Sequence, residues 1–377
     1  MRITPARTAA ALAVAVLLAA APTAALAGPS PDAQTAAALA RVRAVAPADV
    51  TERAVALMEG LDPNGPLVPL NILDPDDYEC GPTLLDEWFA QNADFTDDEW
   101  ELLNATGAYM IAMIEAAYLG DVEGTASYGV DGTWSKQINH SWKKLRTFWD
   151  EDSTEVRLAP AHGRALVDPV RVARVYELLG YPDDVVEPLA QATAAAFDTP
   201  RWDHGELAFF TANGFAGAGF EEDGVTYPDF IVIGDGWLDM MGELGYGAIA
   251  PQDVLAHENM HQVQFDLGDF EGYTTPEQSR LIELQADAGA AYSMSHPRGL
   301  SMQWNRIAPH AEMNALTGDC GFDQPGHHGT PNQRARAVEF GYRLQEDARP
   351  RGHVLPAATF IARVDEAIPA MTAPDAR

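Results

Sequence analysis

The chain has 377 residues, with 56 Asp and Glu against 24 Lys and Arg and a formal net charge of −32. Acidity of that size excludes nucleic acid and anionic membrane as partners, and fits a protein kept soluble outside the cytoplasm. The length allows one large domain or two modest ones, and no internal repeat is visible.

Residues 1–27 read as a secretory signal peptide. A short basic start, Met1-Arg2-Ile3-Thr4-Pro5-Ala6-Arg7, precedes an Ala, Val and Leu run that ends in Ala25-Leu26-Ala27. Cleavage near Ala27 removes Arg2 and Arg7 and leaves a net charge of −34. No Cys stands there to take a lipid, and the run is too short for a comfortable membrane span. No membrane span is expected later: the closest stretch, Ala108 to Ile114, is interrupted by Glu115. The expected location is secreted or extracytoplasmic.

An Ala-rich linker is expected over 28–48, then a helical N-terminal region over 49–198. Its predicted helices run from Asp49 to Glu59, from Thr96 to Leu119 and from Ser135 to Trp149, with further starts at Asp168-Pro169 and Pro182-Asp183-Asp184. Thr96-Asp97-Asp98-Glu99 is a capping box, and Gly120 ends that helix. Trp88, Trp100, Trp134, Trp142 and Trp149 read as core, and Lys143-Lys144-Leu145-Arg146 as a solvated helix face. Asp74-Pro75-Asp76-Asp77 is acidic but lacks the spacing of a calcium loop. Strands are predicted at Leu207 to Thr211 and Asp229 to Ile233.

The next stretch carries chemistry. In Ala256-His257-Glu258-Asn259-Met260-His261, two imidazoles four residues apart stack on one helix face with a carboxylate beside them. A hydrolytic zinc site needs a third protein ligand and an open position. Thr275-Pro276-Glu277-Gln278 is a capped helix start, and Glu283-Leu284-Gln285-Ala286-Asp287 follows on that helix. Glu283 is the expected third ligand. Asp287, one turn on, is the expected acceptor for the free ring N–H of His257 or His261. Cys80 and Cys320 are expected to pair in an oxidising compartment.

From about Glu206 to Leu344 the chain resembles gluzincin metallopeptidases, which join HExxH to a downstream ExxAD, especially bacterial neutral zinc metallopeptidases and HtpX-type peptidases. The likeness rests on Asn213-Gly214-Phe215-Ala216, on Phe230 to Asp239, on Val254 to Gln264, on Glu283 to Asp287, and on His328-Gly329-Thr330-Pro331-Asn332-Gln333-Arg334. Two positions depart from it: Gly214 replaces the usual Ala, and Met260 replaces a Gly and lengthens a side chain at the helix contact. The expected fold is α+β, mainly α; the resemblance implies a zincin-like core, placed over 199–346, and the tail over 347–377, with Pro350, Pro356, Pro369 and Pro374, has room for one short helix. It implies one zinc per chain, Glu258 as general base and a substrate strand along the sheet edge. Unlike the membrane-anchored HtpX-type group, this chain is expected to be free of the membrane.

The expected activity is that of a secreted endopeptidase acting on peptides or proteins. Zinc lowers the pKa of its water to about 7 and polarises the peptide carbonyl, and Glu258 takes the water proton and passes it to the leaving amine. An oxyanion donor beyond the metal is typically worth about 3 kcal/mol. His328 and Arg334 are the catalytic candidates for that role; His328 has the alternative of a reversible extra ligand. Two other readings stay open. One is a non-catalytic zincin-fold binding protein, the other a zinc hydrolase of a non-peptide amide such as a cell-wall component.

Overall fold

The structure is a computed structural model, and it describes residues 33–59, 73–120, 126–151, 153–222, 225–268, 275–324, 326–347, 350 and 352–375. The expected signal peptide lies outside them. The described chain is mainly helical, with a small three-stranded sheet and a two-stranded hairpin.

The N-terminal half contains α1 (Ala33–Arg43), α2 (Val50–Glu59), α3 (Leu84–Asn92), α4 (Asp97–Thr106), α5 (Ala108–Ile114), α6 (Ser135–Leu145), α7 (Pro169–Leu178) and α8 (Asp183–Phe197). Part of the expected linker is therefore helix. Ala38, Leu39 and Val42 of α1 are buried in the core that α4 and α8 line, which is why Ala-rich sequence orders there. The helix expected from Thr96 to Leu119 is divided. Its capping box forms at Thr96, but Gly107 takes a left-handed φ of 62° that ends α4 and starts α5 at a new angle, and a π turn covers Glu115–Leu119. By length and composition Asp97–Leu119 is long and apolar enough to cross a membrane, yet 72% of its most apolar window is buried inside the protein.

The sheet has the order β1-β5-β2, formed by β1 (Arg157–Ala161), β2 (Gly214–Gly217) and β5 (Phe230–Gly234); β3 (Phe220–Glu222) and β4 (Val225–Tyr227) make the hairpin. β5 runs parallel to β1 and antiparallel to β2, and all its residues are buried. β5 is the central strand, paired on both edges, so the sheet edges are β1 and β2. The expected strand at Leu207 to Thr211 is instead a 3-10 turn, Ala208–Thr211. The adjacent residues Phe209 and Phe210 both enter aromatic packing, against Phe95 and against Phe197 and Trp202, which an alternating strand would not allow. The turn presses on the end of β5. A Cβ at Gly234 or Gly236 would stand 1.9 Å from a carbonyl oxygen of Thr211 or Ala208, so glycine is required at both.

The second half holds α9 (Asp235–Glu243), α10 (Ala250–Leu267), α11 (Pro276–Ser295), α12 (Trp304–Leu316), α13 (Pro331–Asp347) and α14 (Ala357–Met371). α10 packs between the sheet and α11, and α13 lies along α11. The two departures from the family pattern have packing partners. A Cβ at Gly214 would meet Val254 Cγ2 at 2.4 Å, and one at Gly289 of α11 would meet Met260 Cγ and Sδ at 2.6 Å. The long Met260 thus fits because the facing helix offers a glycine. The expected tail is more than a tail: α14 is 15 residues long and docks Phe360 against Trp149 and Tyr292. Beyond it, Asp375 accepts hydrogen bonds from Arg336 Nη2 at 2.5 Å and from the Glu79 backbone at 2.8 Å. Cys80 and Cys320 form a disulfide across 240 residues, tying the segment before α3 to the loop after α12. Thr83, which caps α3, donates to the Leu316 carbonyl at the end of α12 and strengthens the same junction.

Candidate metal centre

α10 presents His257 and His261 one turn apart toward α11, and α11 answers with Glu283. Among the described residues this is the group of His, Cys, Asp or Glu side chains able to hold a metal ion, its ligand atoms all lying within 4.8 Å of one another. The two Nε2 atoms are 3.0 Å apart, and Glu283 oxygens stand 3.3 Å from His257 Nε2 and 3.5 Å from His261 Nε2. These contacts go to different oxygens of Glu283, and donors placed tetrahedrally around an ion at 2.0–2.1 Å are about 3.3–3.4 Å apart, so the spacing is of the order a small divalent cation needs.

The opposite ring nitrogens explain how the set is aimed. His261 Nδ1 lies 2.7 Å from Gln264 Oε1. The amide of Gln264 cannot turn round, because its Nε2 donates to the Ile282 carbonyl at 3.0 Å and to Gln285 Oε1 at 2.8 Å. Gln285 in turn donates to Asp365 of α14 at 2.7 Å. His257 Nδ1 lies 3.0 Å from Asp287 Oδ1; the alignment is poor for a hydrogen bond, so this contact is chiefly electrostatic. Acceptors at both Nδ1 atoms select the Nδ1–H tautomers. In those tautomers two Nε2 lone pairs and a carboxylate converge, a donor set that could hold a metal ion.

Charge effects agree. Burial opposes ionisation of Glu283, but His257, His261 and the nearby His328 hold its carboxyl well below the usual range. Burial likewise disfavours a charged His257, yet Asp287 and Glu283 hold it well above the ordinary imidazole value. The cluster draws positive charge to itself. Glu258 differs: burial pushes its carboxyl up, against the pull of the two histidines.

Asp287 is completely buried, and Arg334 of α13 grips it with both arms, Nε to Oδ2 at 2.8 Å and Nη2 to Oδ1 at 2.7 Å. Arg334 also stands 3.5 Å from a Glu283 oxygen and reaches the Thr317 carbonyl at 3.4 Å. Burial works against its charge, and Asp287 and Glu283 raise its pKa nonetheless. Its N–H groups thus face Asp287, Glu283, Asn314 and Thr317, partners that hold the guanidinium inside the protein beside the ligands.

His328 is partly exposed. Asp319 accepts from its backbone N–H at 2.8 Å and from its Nδ1 at 3.1 Å, and from the buried His327 Nδ1 at 2.5 Å. Burial opposes the Asp319 charge, but these two histidines hold the carboxyl far below the usual range. The disulfide at the adjacent Cys320 and the left-handed Gly329, φ 98°, shape this loop just before the Thr330 start of α13. Sequence reasoning missed Gln264, Gln285 and Asp319. The first had a legible signal: Gln264 follows His261 by three, the spacing of neighbours on a helix. Asp319 sits in a loop and had none.

Comparison of the chain with protein-family models, with curated proteins and with solved structures finds no match.

Proposed function

We propose that the chain is a zinc-dependent endopeptidase of gluzincin type with a zincin-like core, secreted after loss of residues 1–27. The observation that carries the reading is the convergence of His257 Nε2, His261 Nε2 and a Glu283 oxygen, with the proton-accepting Glu258 in electrostatic reach of all three. Two nitrogens and one carboxylate oxygen suit zinc better than the all-oxygen sets of calcium or magnesium. Zinc bound there would act as a Lewis acid on the scissile carbonyl and make a water acidic enough to deprotonate near neutral pH.

The protein's own groups do the rest. Glu258 accepts the proton of the attacking water on a carboxylate oxygen and delivers it to the departing amine nitrogen. Asp287 and Gln264 keep the His257 and His261 rings turned with Nε2 toward the reaction centre. With Nδ1–H held by Asp319, His328 would serve as an imidazolium, donating Nε2–H to the carbonyl oxygen where negative charge develops. Among the described residues β2, antiparallel to β5 and packed beside α10, pairs with no other strand, and its outer edge is the one an extended peptide would join.

Burial of Glu258 and of all three ligands favours a narrow entrance, which supports a second reading: hydrolysis of a small non-peptide amide, such as a cell-wall component. The test is cleavage of casein and of a cell-wall peptide amide by the zinc-loaded chain lacking residues 1–27, beside Glu258→Gln. Casein cleavage lost in the variant supports the peptidase. Cleavage of the cell-wall substrate alone favours the second reading, and inactivity toward both with zinc bound leaves a non-catalytic zincin-fold protein.

A further inference from the structure

Behind the ligand set runs a closed ring of buried polar side chains drawn from four helices. It starts at His257 on α10, passes to Asp287 on α11 at 3.0 Å, and continues through the two-armed pair to Arg334 on α13. Arg334 Nη2 then approaches Asn314 Oδ1 on α12 at 3.5 Å, and Asn314 Nδ2 donates to Asp253 Oδ1 at 2.7 Å. Asp253 is on α10 again, one turn before His257, and also accepts from His310 Nδ1 of α12. Asn314, His310 and Asp253 touch none of the three ligands.

We propose that Asn314 and its neighbour His310 are positioning residues of the metal centre, acting on His257 through Arg334 and Asp287. This inference rests on the metal-centre reading but not on peptidase activity. A guanidinium can offer its fork in several directions, and what fixes the fork of Arg334 on Asp287 is the placing of its remaining N–H groups on α12, at Asn314 Oδ1 and the Thr317 carbonyl. The amide of Asn314 cannot reverse, since Nδ2 must face the Asp253 carboxylate. A C-terminal helix end also favours the cation lying against it. A ring of this kind is a poor device for stability alone: His310 Nε2 is buried without a partner, a cost that an apolar core would avoid. What the ring does supply is a single geometry for Asp287, and through it for the His257 ring.

The test is a double-mutant cycle on zinc affinity, read by competition with a chromogenic chelator, in the chain lacking residues 1–27. Asn314→Leu keeps the branched shape and removes the side-chain contacts to Arg334, Asp253 and His310; loss of an outer partner of a ligating His typically weakens metal binding by about 10-fold to 100-fold. The expected result is a drop of about tenfold for Asn314→Leu, and no further drop when it is added to Asp287→Asn. Asn314→Ser, which disturbs packing less, is the second variant and should move affinity the same way. Additive losses would reveal mere loosening of the core and overturn the inference, as would unchanged affinity in both variants while wild type binds zinc. Failure of wild type to bind zinc would overturn this inference together with the metal-centre reading.

Discussion

The helical N-terminal region and the block made by α10 to α13 bury charge in opposite ways. In the first, the core is apolar, and each buried carboxylate is met by one arginine that reaches the surface: Glu115 by Arg171 at 2.9 and 2.6 Å, Glu99 by Arg201 at 2.6 and 3.1 Å. In the second, Asp253, Glu258, Glu283 and Asp287 are all buried, and the guanidinium in contact with this group among the described residues is Arg334 alone. Burying charge costs free energy unless it is paired. The first region follows that rule and reads as scaffold. The second departs from it by gathering four buried carboxyl groups around one guanidinium, and a divalent cation held by His257, His261 and Glu283 would add positive charge there.

The largest effect should come from Glu258→Gln, which keeps charge-free shape but removes the proton acceptor. Hydrolysis should fall by about 10²–10⁴-fold with zinc content unchanged, checked by initial rates and elemental analysis of the same sample. Normal turnover would place the base elsewhere. Next, Glu283→Ala removes a ligand and should weaken zinc binding by more than about 100-fold, beyond what outer-partner changes produce; a chelator titration reads it directly.

The scaffold should respond in the reverse sense. Leu102→Ala, in the apolar core, should cost about 2–5 kcal/mol in denaturant unfolding while zinc affinity stays as it was. Reduction of Cys80–Cys320 should cost about 2–5 kcal/mol and also lower turnover, because the bridge borders Asp319 and so the seat of His328. Equal activity before and after reduction would separate the disulfide from the site. The smallest effect concerns Glu99. Burial raises its pKa, but Arg201 and the Thr96 backbone bring the net value below the ordinary 4.5. The stability it contributes is present above that pH and is lost as pH falls toward the folded value. Arg201→Gln should therefore flatten the decline of stability below about pH 4.5, measured by thermal unfolding across an acid series.

Reading the sequence succeeds where one helix carries the signal. His257, Glu258 and His261 sit on one turn, and Glu283 with Asp287 on another, so both halves of the site are visible as helical spacing. The structure adds their meeting, which depends on Gly289 making room for Met260 and on Gly341, whose Cβ would lie 2.0 Å from the Ala288 carbonyl, letting α13 bring Arg334 to Asp287. Such contacts between distant segments have no local signature. The strands were least legible: β1 contains Pro160, and β2 begins and ends in glycine, so neither shows the alternation that marks a strand. The ordering of α1 and α14 was hidden as well, since Ala-rich and Pro-punctuated segments declare their fate only through what they pack against.

The measurement that tests the central claim most directly is the zinc content of the purified chain lacking residues 1–27, after dialysis against metal-free buffer. One zinc per chain is expected, retained in Glu258→Gln and lost in a His257→Ala and His261→Ala double variant. A wild-type protein that holds no zinc, or one whose zinc survives the loss of both histidines, would contradict it.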